Sequence, residues 1–261
     1  MSASDTCLNR SDNPWREKSL FERAGISGLP TYDGHHDDEP EKRRTVSLRP
    51  TMTNTGVKEV YEKRAKWYDG LITLLGYSAA RKVILRKLPL ETPSKILDLG
   101  CGTGLATGVL LKRFPNARIT GLDLSEEMLK LYKVNFPTVQ VLLGDFNKEN
   151  VFHTFPSQKP VKIGAFDLII STGAVSEYGD LNKAIPLTYK LLKKGGVFVN
   201  IGVENNILGR LIAKVWYFTP TSREKFITSC KNAGFSDVQL LPFPWYLFTS
   251  KMMNYIIKAR K

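Results

Sequence analysis

An apolar strand runs straight into a glycine-rich turn at Ile96-Leu97-Asp98-Leu99-Gly100-Cys101-Gly102-Thr103-Gly104. Glycine suits this turn because the chain bends sharply and its backbone must approach a ligand with no Cβ in the way. The spacing G-x-G-x-G differs from the dinucleotide fingerprint G-x-G-x-x-G, since Leu105 and Thr107 occupy the positions where that fingerprint needs a third small residue. The turn therefore predicts a ligand site at the end of a strand and disfavours a dinucleotide.

Acidic residues stand at the ends of three predicted strands. Asp98 precedes the glycine turn, where a carboxylate would repel a pyrophosphate but suits a ligand that carries an ammonium group. Asp123 ends the next strand and can accept two hydrogen bonds from ribose hydroxyls. At the third strand end, Asp145 or the neighbouring backbone can hydrogen-bond an adenine amino group, while Phe146 packs on the face of the base.

Strands and helices alternate through most of the chain, which predicts a parallel sheet covered by helices on both faces. Two amphipathic helical stretches, 57–72 and 78–88, come before this alternation. The predicted strands are 95–99, 118–123, 139–143, 166–171, 197–202, 238–241 and 254–259. The predicted helices between them are 104–114, 126–135, 181–193, 207–218 and one that a capping box opens at Thr221 and Gly234 closes.

Five segments, in the right order, resemble the motifs of class I S-adenosylmethionine-dependent methyltransferases. They are Asp98–Gly104, Asp123, Asp145, Phe166–Ile170 and Leu191–Phe198. Upstream, Tyr61–Asp69 is similar to the helix before the core in ubiquinone/menaquinone-biosynthesis C-methyltransferases, of the methyltransferase type 11 group, and in some phospholipid N-methyltransferases. The resemblance implies an α/β, Rossmann-like class I methyltransferase fold. Its sheet has seven mostly parallel strands with an antiparallel last strand, and helices lie on both faces.

The same resemblance implies S-adenosyl-L-methionine as the cofactor and assigns residues to it. An aromatic residue of the upstream helix covers the methionine end of the cofactor in that group, a role that falls here on Tyr68. The complete implied set is Tyr68, Asp98, Gly100, Cys101, Gly102, Gly104, Asp123, Leu124, Met128, Asp145, Phe146 and Ser171.

The acceptor of the methyl group should lie outside the carboxyl ends of the strands, near the methionine end of the cofactor. Glu177 and Tyr178 follow the fourth strand there and are the candidates for orienting the acceptor or taking a proton. Capping or packing of the next helix is the alternative role for both. We expect an enzyme that acts on a small-molecule or lipid-like substrate. An RNA methyltransferase and a cofactor-binding partner subunit without catalysis are the alternatives.

The chain divides, on its composition, into a flexible leader over residues 1–56 and a methyltransferase domain over 57–261. Within the domain, we expect cap helices at 57–92, the cofactor-binding core at 93–203, and substrate-side elements with the last strands at 204–261. The substrate-side elements include an apolar helical stripe beginning at Ile207, flanked by Arg210 and Lys214, and the aromatic connection 242–248. Such a combination suits a lipid interface, or else simple packing on the domain.

Charge and cysteine content narrow the remaining function classes. The net charge is +13, and residues 1–56 contribute none of this excess. The domain therefore favours anionic partners, such as phosphorylated substrates, an anionic membrane surface or RNA, or else has a solubilising basic surface. The three cysteines have spacings of neither a disulfide framework nor a zinc site, so we expect no metal. No apolar run spans a bilayer and no signal sequence is recognisable, which predicts a cytoplasmic protein with peripheral membrane association left open.

Overall fold

The computed structural model describes residues 77–148 and 152–261. Within these ranges one nine-stranded sheet has the order β5-β4-β3-β2-β1-β6-β7-β9-β8. Its strands are β1 (Lys95–Leu99), β2 (Arg118–Asp123), β3 (Gln140–Gly144), β4 (Phe152–Thr154), β5 (Pro160–Val161), β6 (Phe166–Thr172), β7 (Leu192–Val203), β8 (Asp237–Leu241) and β9 (Asn254–Arg260).

The central strands β3, β2, β1, β6 and β7 are parallel. Strand β9 runs antiparallel to both β7 and β8, as predicted for the last strand. The seven predicted strands are therefore confirmed. The short antiparallel strands β4 and β5 extend the sheet beyond β3. They were not predicted, because runs of three and two residues carry no recognisable period.

Eight helices complete the described part of the chain. They are α1 (Tyr77–Lys87), α2 (Leu105–Arg113), α3 (Glu126–Asn135), α4 (Val175–Tyr178), α5 (Leu181–Leu191), α6 (Ile207–Trp216), α7 (Arg223–Asn232) and α8 (Phe248–Met253). The cap of α7 differs from the predicted one. Ser222, rather than Thr221, accepts a hydrogen bond from the Lys225 amide at 3.3 Å, so the helix begins one residue later.

Two apolar clusters cover the two faces of the sheet. One contains residues of α4, α5 and α7, such as Val175, Ile185 and Phe226. The other contains residues of α1, α2 and α3, such as Leu85, Leu110 and Leu129. Strand alternation sends Leu97 and Leu99 to the first cluster and Ile96 to the second, so both faces of β1 are buried.

This arrangement brings the ends of β1, β2, β3, β6 and β7 to one side of the sheet, called here the carboxyl edge. The glycine turn, Asp123, Asp145 and the segment 171–178 all lie at or directly after strand ends on this edge. Among the described residues, no helix is long and apolar enough to cross a membrane. The predicted leader, the helical stretch 57–72 and Tyr68 lie outside the described residues.

Candidate active site

The glycine turn is fixed by its own backbone. The amides of Gly100 and Cys101 both donate to the Leu122 carbonyl of β2, at 2.8 and 3.0 Å. The Gly104 amide donates to the Cys101 carbonyl at 2.9 Å and completes the bend into α2. Gly100, Gly102 and Gly104 all have positive φ, which explains why three glycines occupy this turn.

The three glycines of the turn differ in the space that a Cβ would have. A Cβ on Gly100 would lie 2.1 Å from the Cβ of Ala174, and one on Gly104 would lie 2.4 Å from the ring of Phe136. A Cβ on Gly102 would meet nothing within 4 Å. Gly100 and Gly104 therefore serve close packing, whereas Gly102 leaves open room where a ligand can approach the backbone.

Asp98 is completely buried under this turn. Its Oδ2 accepts hydrogen bonds from the Thr107 amide at 3.1 Å and from the Thr107 hydroxyl at 2.7 Å, and that hydroxyl lies 2.8 Å from the Tyr132 hydroxyl. Among the described residues, none gives a hydrogen bond to Oδ1. Burial raises the pKa of Asp98 from 3.8 to about 6, against the lowering effect of the Thr107 hydrogen bonds, and the nearby charge of Asp123 adds to the rise.

Asp123 holds the turn from the end of β2. Its Oδ2 accepts from the Gly102 amide at 2.8 Å, and its Oδ1 accepts from the Ser125 amide at 2.9 Å. Each carboxylate oxygen can accept a further bond, so the capacity to bind ribose hydroxyls remains. Burial raises the pKa of Asp123, while the hydrogen bonds from the amides of Ser125, Gly102 and Leu124 oppose that rise.

The other predicted cofactor residues surround this turn with different degrees of exposure. Leu124 is half-buried, whereas Met128 and Phe146 are buried. Asp145 is also buried, and its Oδ1 accepts from the Asn147 amide at 2.9 Å, which shapes the bend after β3. Burial raises the pKa of the Cys101 thiol well above its usual range, so Cys101 contributes its backbone to the turn and no reactive thiolate.

The segment after β6 forms the other half of the site. The Ser171 hydroxyl is buried and accepts from the Val175 amide at 3.1 Å, which ties it to the start of α4. Its predicted contact with a cofactor stays a prediction. The Tyr178 hydroxyl donates to the Trp216 carbonyl at 3.0 Å, and the ring packs edge-on against Phe218. The hydrogen bond ties Tyr178 to α6, and its predicted role toward the acceptor stays a prediction.

Glu177 faces a partner that the sequence did not reveal. Its Oε1 lies 3.6 Å from a guanidinium nitrogen of Arg81 in α1, and both side chains are less than a tenth exposed. Arg81 also donates to the Thr172 carbonyl at 2.5 Å. A Cβ on Gly173 would lie 2.8 Å from Arg81 and 3.0 Å from Glu177, so this glycine makes room for the pair. The ion pair orients the carboxylate at the carboxyl edge.

Two further polar groups lie under α4. The Ser176 and Tyr255 hydroxyls lie 2.4 and 2.8 Å from the position of a Cβ on Gly202, and both side chains are buried. Tyr255 belongs to β9, and sequence spacing gives no sign that it meets residue 176. The sequence did carry a sign of the role of Thr107 as a partner of Asp98. Thr107 is a polar residue on the buried face of α2, beside Ala106 and Leu110.

The site matches a ligand that combines an ammonium group with a nucleoside. The unbonded, buried Oδ1 of Asp98 offers a charge partner for a cation, and the open room at Gly102 admits the ligand to the backbone. Within residues 77–148 and 152–261, no group of three or more His, Cys, Asp or Glu side chains could hold a metal ion.

Comparison with known proteins agrees with this chemistry. The family model for a methyltransferase domain matches residues 97–198. Over 235 residues the chain is 28% identical to demethylmenaquinone methyltransferase of Chlorobaculum tepidum, covering 77% of this chain and 93% of that protein. It is 30% identical over 167 residues to trans-aconitate 2-methyltransferase of Enterobacter sp., covering 61% of this chain and 62% of that protein.

The fold is shared with a solved methyltransferase structure. The crystal structure of human N-acetylserotonin methyltransferase in complex with S-adenosylmethionine matches with a TM-score of 0.57 and 18% identity, covering 82% of this chain and 60% of that one. The glycine turn, the acidic strand ends and the antiparallel β9 occur together in one chain that matches the methyltransferase domain model. The chain therefore has the class I methyltransferase fold and matches a methyltransferase domain over residues 97–198, with S-adenosyl-L-methionine as its cofactor.

Proposed function

We propose that this chain is an enzyme that transfers the methyl group of S-adenosylmethionine to a small-molecule or lipid-like acceptor. The observation that carries the proposal is the unbonded, buried carboxylate oxygen of Asp98, which precedes a glycine turn with open room at Gly102. The two relatives above support the small-molecule class, since their names refer to demethylmenaquinone and to trans-aconitate.

The cofactor supplies a methyl group that its sulfonium already activates, so the protein mainly aligns the two reactants and excludes water. Asp98 would bind the ammonium group, Asp123 the ribose hydroxyls, and the backbone at Gly102 would lie against the ligand. Tyr68 would cover the methionine end. The remaining members of the predicted cofactor set would line the site through their backbone or through packing.

Glu177 is the candidate for orienting the acceptor, or for taking a proton from it. Its ion pair with Arg81 fixes the orientation of the carboxylate, a group that can accept a proton or a hydrogen bond. Tyr178 would then serve the acceptor side with its ring, since its hydroxyl proton is engaged by Trp216.

The two other functions remain less favoured. RNA modification would need a basic groove interleaved with stacking aromatic residues, or an appended RNA-binding module, and the sequence offers neither. A partner subunit without catalysis would have no need of a complete cofactor site. For location, we propose a cytoplasmic protein that contacts an anionic membrane surface peripherally, because the positive charge excess lies outside residues 1–56.

Labelled methyl transfer tests the proposal. The full chain is incubated with S-adenosylmethionine labelled in the methyl group and, separately, with a lipid extract, an aqueous metabolite extract or total RNA. We expect label in the lipid or the metabolite fraction and none in RNA. A Gly102→Leu variant serves as the control, since filling the open room should remove transfer. Label in RNA, or in no fraction while the cofactor still binds, would contradict the proposal.

A further inference from the structure

One side of helix α6 exposes apolar side chains to solvent. Ile207 is 79% exposed and Leu211 is 56% exposed, and Leu208 is also exposed. These three residues lie together on one side of the helix, because positions 207, 208 and 211 fall within about 100° on a helical wheel. Isolated exposed apolar residues are ordinary, but a group on one helix face indicates an interaction surface.

The opposite side of α6 attaches the helix to the domain. Ala213 and Trp216 are buried there. Gly209 belongs to the same side, and a Cβ on it would lie 1.8 Å from the Glu204 carbonyl, so the helix approaches the preceding loop as closely as glycine allows. The apolar stripe predicted from the sequence is therefore largely separate from the packing face.

Helix α8 extends the exposed group. The Met252 carbonyl accepts a hydrogen bond from the Asn206 side chain at 2.6 Å, which joins α8 to the first turn of α6. Met252 is itself 45% exposed. We call the combined face the α6–α8 surface, and its residues are Ile207, Leu208, Arg210, Leu211, Lys214, Lys251 and Met252.

The charges on this surface have one sign. Arg210, Lys214 and Lys251 are exposed. No Asp or Glu occurs in residues 205–222 or 242–261, the two segments that contain α6 and α8. On a helical wheel, Arg210 and Lys214 flank the apolar group on the side away from Leu208. Apolar side chains beside a row of cations form the pattern of a helix that lies in the plane of an anionic lipid surface.

The surface adjoins the acceptor side of the site. The last turn of α6 is bonded to α4 through the Trp216 carbonyl and the Tyr178 hydroxyl. Tyr178 directly follows Glu177, the candidate for orienting the acceptor. A membrane under the α6–α8 surface would therefore lie next to the place where an acceptor enters.

We propose that the α6–α8 surface docks the enzyme on anionic bilayers and that the acceptor is taken from the membrane. The proposal of a lipid-borne acceptor rests on the methyltransferase function above. The docking itself follows from exposure and charge. Trp245, although 87% exposed, is left out of the surface, because its neighbour Tyr246 packs under Lys87 at the end of α1.

Vesicle flotation of the full chain tests the docking. The probes are vesicles of phosphatidylcholine alone and of phosphatidylcholine with phosphatidylglycerol. We expect flotation with the anionic vesicles only. Each cation at an anionic surface contributes about fivefold to binding, so Arg210→Glu with Lys214→Glu should weaken flotation by at least ~25-fold. Ile207→Ser with Leu211→Ser should lose flotation to a similar degree, because their apolar area no longer inserts.

A matched control reverses two exposed lysines at the other edge of the sheet, Lys194→Glu with Lys231→Glu, and should float like the wild type. Calorimetric binding of S-adenosylmethionine, measured on every variant, separates loss of docking from loss of the proposed function. Docking is refuted if the wild type does not float, or if the α6–α8 variants float unchanged. Concentration-dependent dimerisation that Leu211→Ser abolishes, without flotation, would refute it equally by assigning the surface to a second copy.

Discussion

Replacing Gly102 with leucine is expected to weaken S-adenosylmethionine binding at least ~100-fold while the fold persists. The reason is spatial. The leucine side chain would occupy the open room beside the turn, which no described protein atom fills within 4 Å of a Cβ. The φ of +53° at this position adds a backbone strain of about 1 kcal/mol, a cost the domain can tolerate. Calorimetric titration measures the affinity, and urea unfolding checks the fold.

Gly195 provides a matched control. It also has positive φ, +77°, and a Cβ on it would likewise meet nothing within 4 Å, but it lies in the turn inside β7, at the opposite edge of the sheet. Gly195→Leu should thus show the same strain with unchanged cofactor affinity. If Gly102→Leu kept the wild-type affinity, the cofactor would not approach the turn as described here.

The affinity for S-adenosylmethionine should fall as the pH is lowered through about 6, by about tenfold for each pH unit below that value. Asp98 is ionised above this pH and can bind an ammonium group, whereas its protonated form offers no charge. Asp98→Asn should remove this pH dependence. Because a hydrogen bond to a charged group is lost, it should also weaken binding at pH 7.5 by roughly 10- to 100-fold.

The free energy of unfolding of the cofactor-free protein should change with pH in the opposite direction to the affinity. Burial raises the pKa of Asp98 in the folded state from 3.8 to about 6. The folded state therefore binds more protons than the unfolded chain between these values, and its free energy of unfolding decreases as the pH rises from about 4 to about 6. Asp98→Asn should escape this loss and be more stable than the wild type at pH 7.5, by up to roughly 3 kcal/mol.

Asp237→Asn is the control for both measurements, because it removes one negative charge from an exposed position at the start of β8. It should leave the affinity, its pH dependence and the stability near the wild-type values. A pH-independent affinity in the wild type would contradict the assignment of the ammonium group to Asp98.

Local chemistry made most of the fold predictable. The end of β2 at Asp123 follows from an apolar strand that meets a capped helix, and the Ser125 side chain does accept from the Met128 amide. The bounds of β2 and α3 agree with the prediction for this reason, and β1 ends where its glycine turn begins. Strands β4 and β5 could not be predicted, since they owe their existence to pairing with the edge of β3 rather than to any pattern of their own.

The candidate site, like the fold, was predictable from the sequence only in part. The glycine turn and the acidic residues each stand at the end of a strand that the sequence predicts, so their positions at the carboxyl edge were predictable. The partner of Glu177 was not, because Arg81 lies on α1 and reaches the segment after β6 only through the folded structure. The hydroxyl of Tyr178 was equally ambiguous in sequence, and its engagement depends on where α6 ends.

Titration of the wild-type 261-residue chain with S-adenosylmethionine, in parallel with NADH, tests the central claim most directly. The site described here predicts saturable binding of S-adenosylmethionine at one site per chain and no binding of NADH above background. The ammonium group has a partner in Asp98, whereas a pyrophosphate would meet that carboxylate and a turn of the wrong spacing. Absence of S-adenosylmethionine binding, or NADH binding of equal strength, would contradict the account.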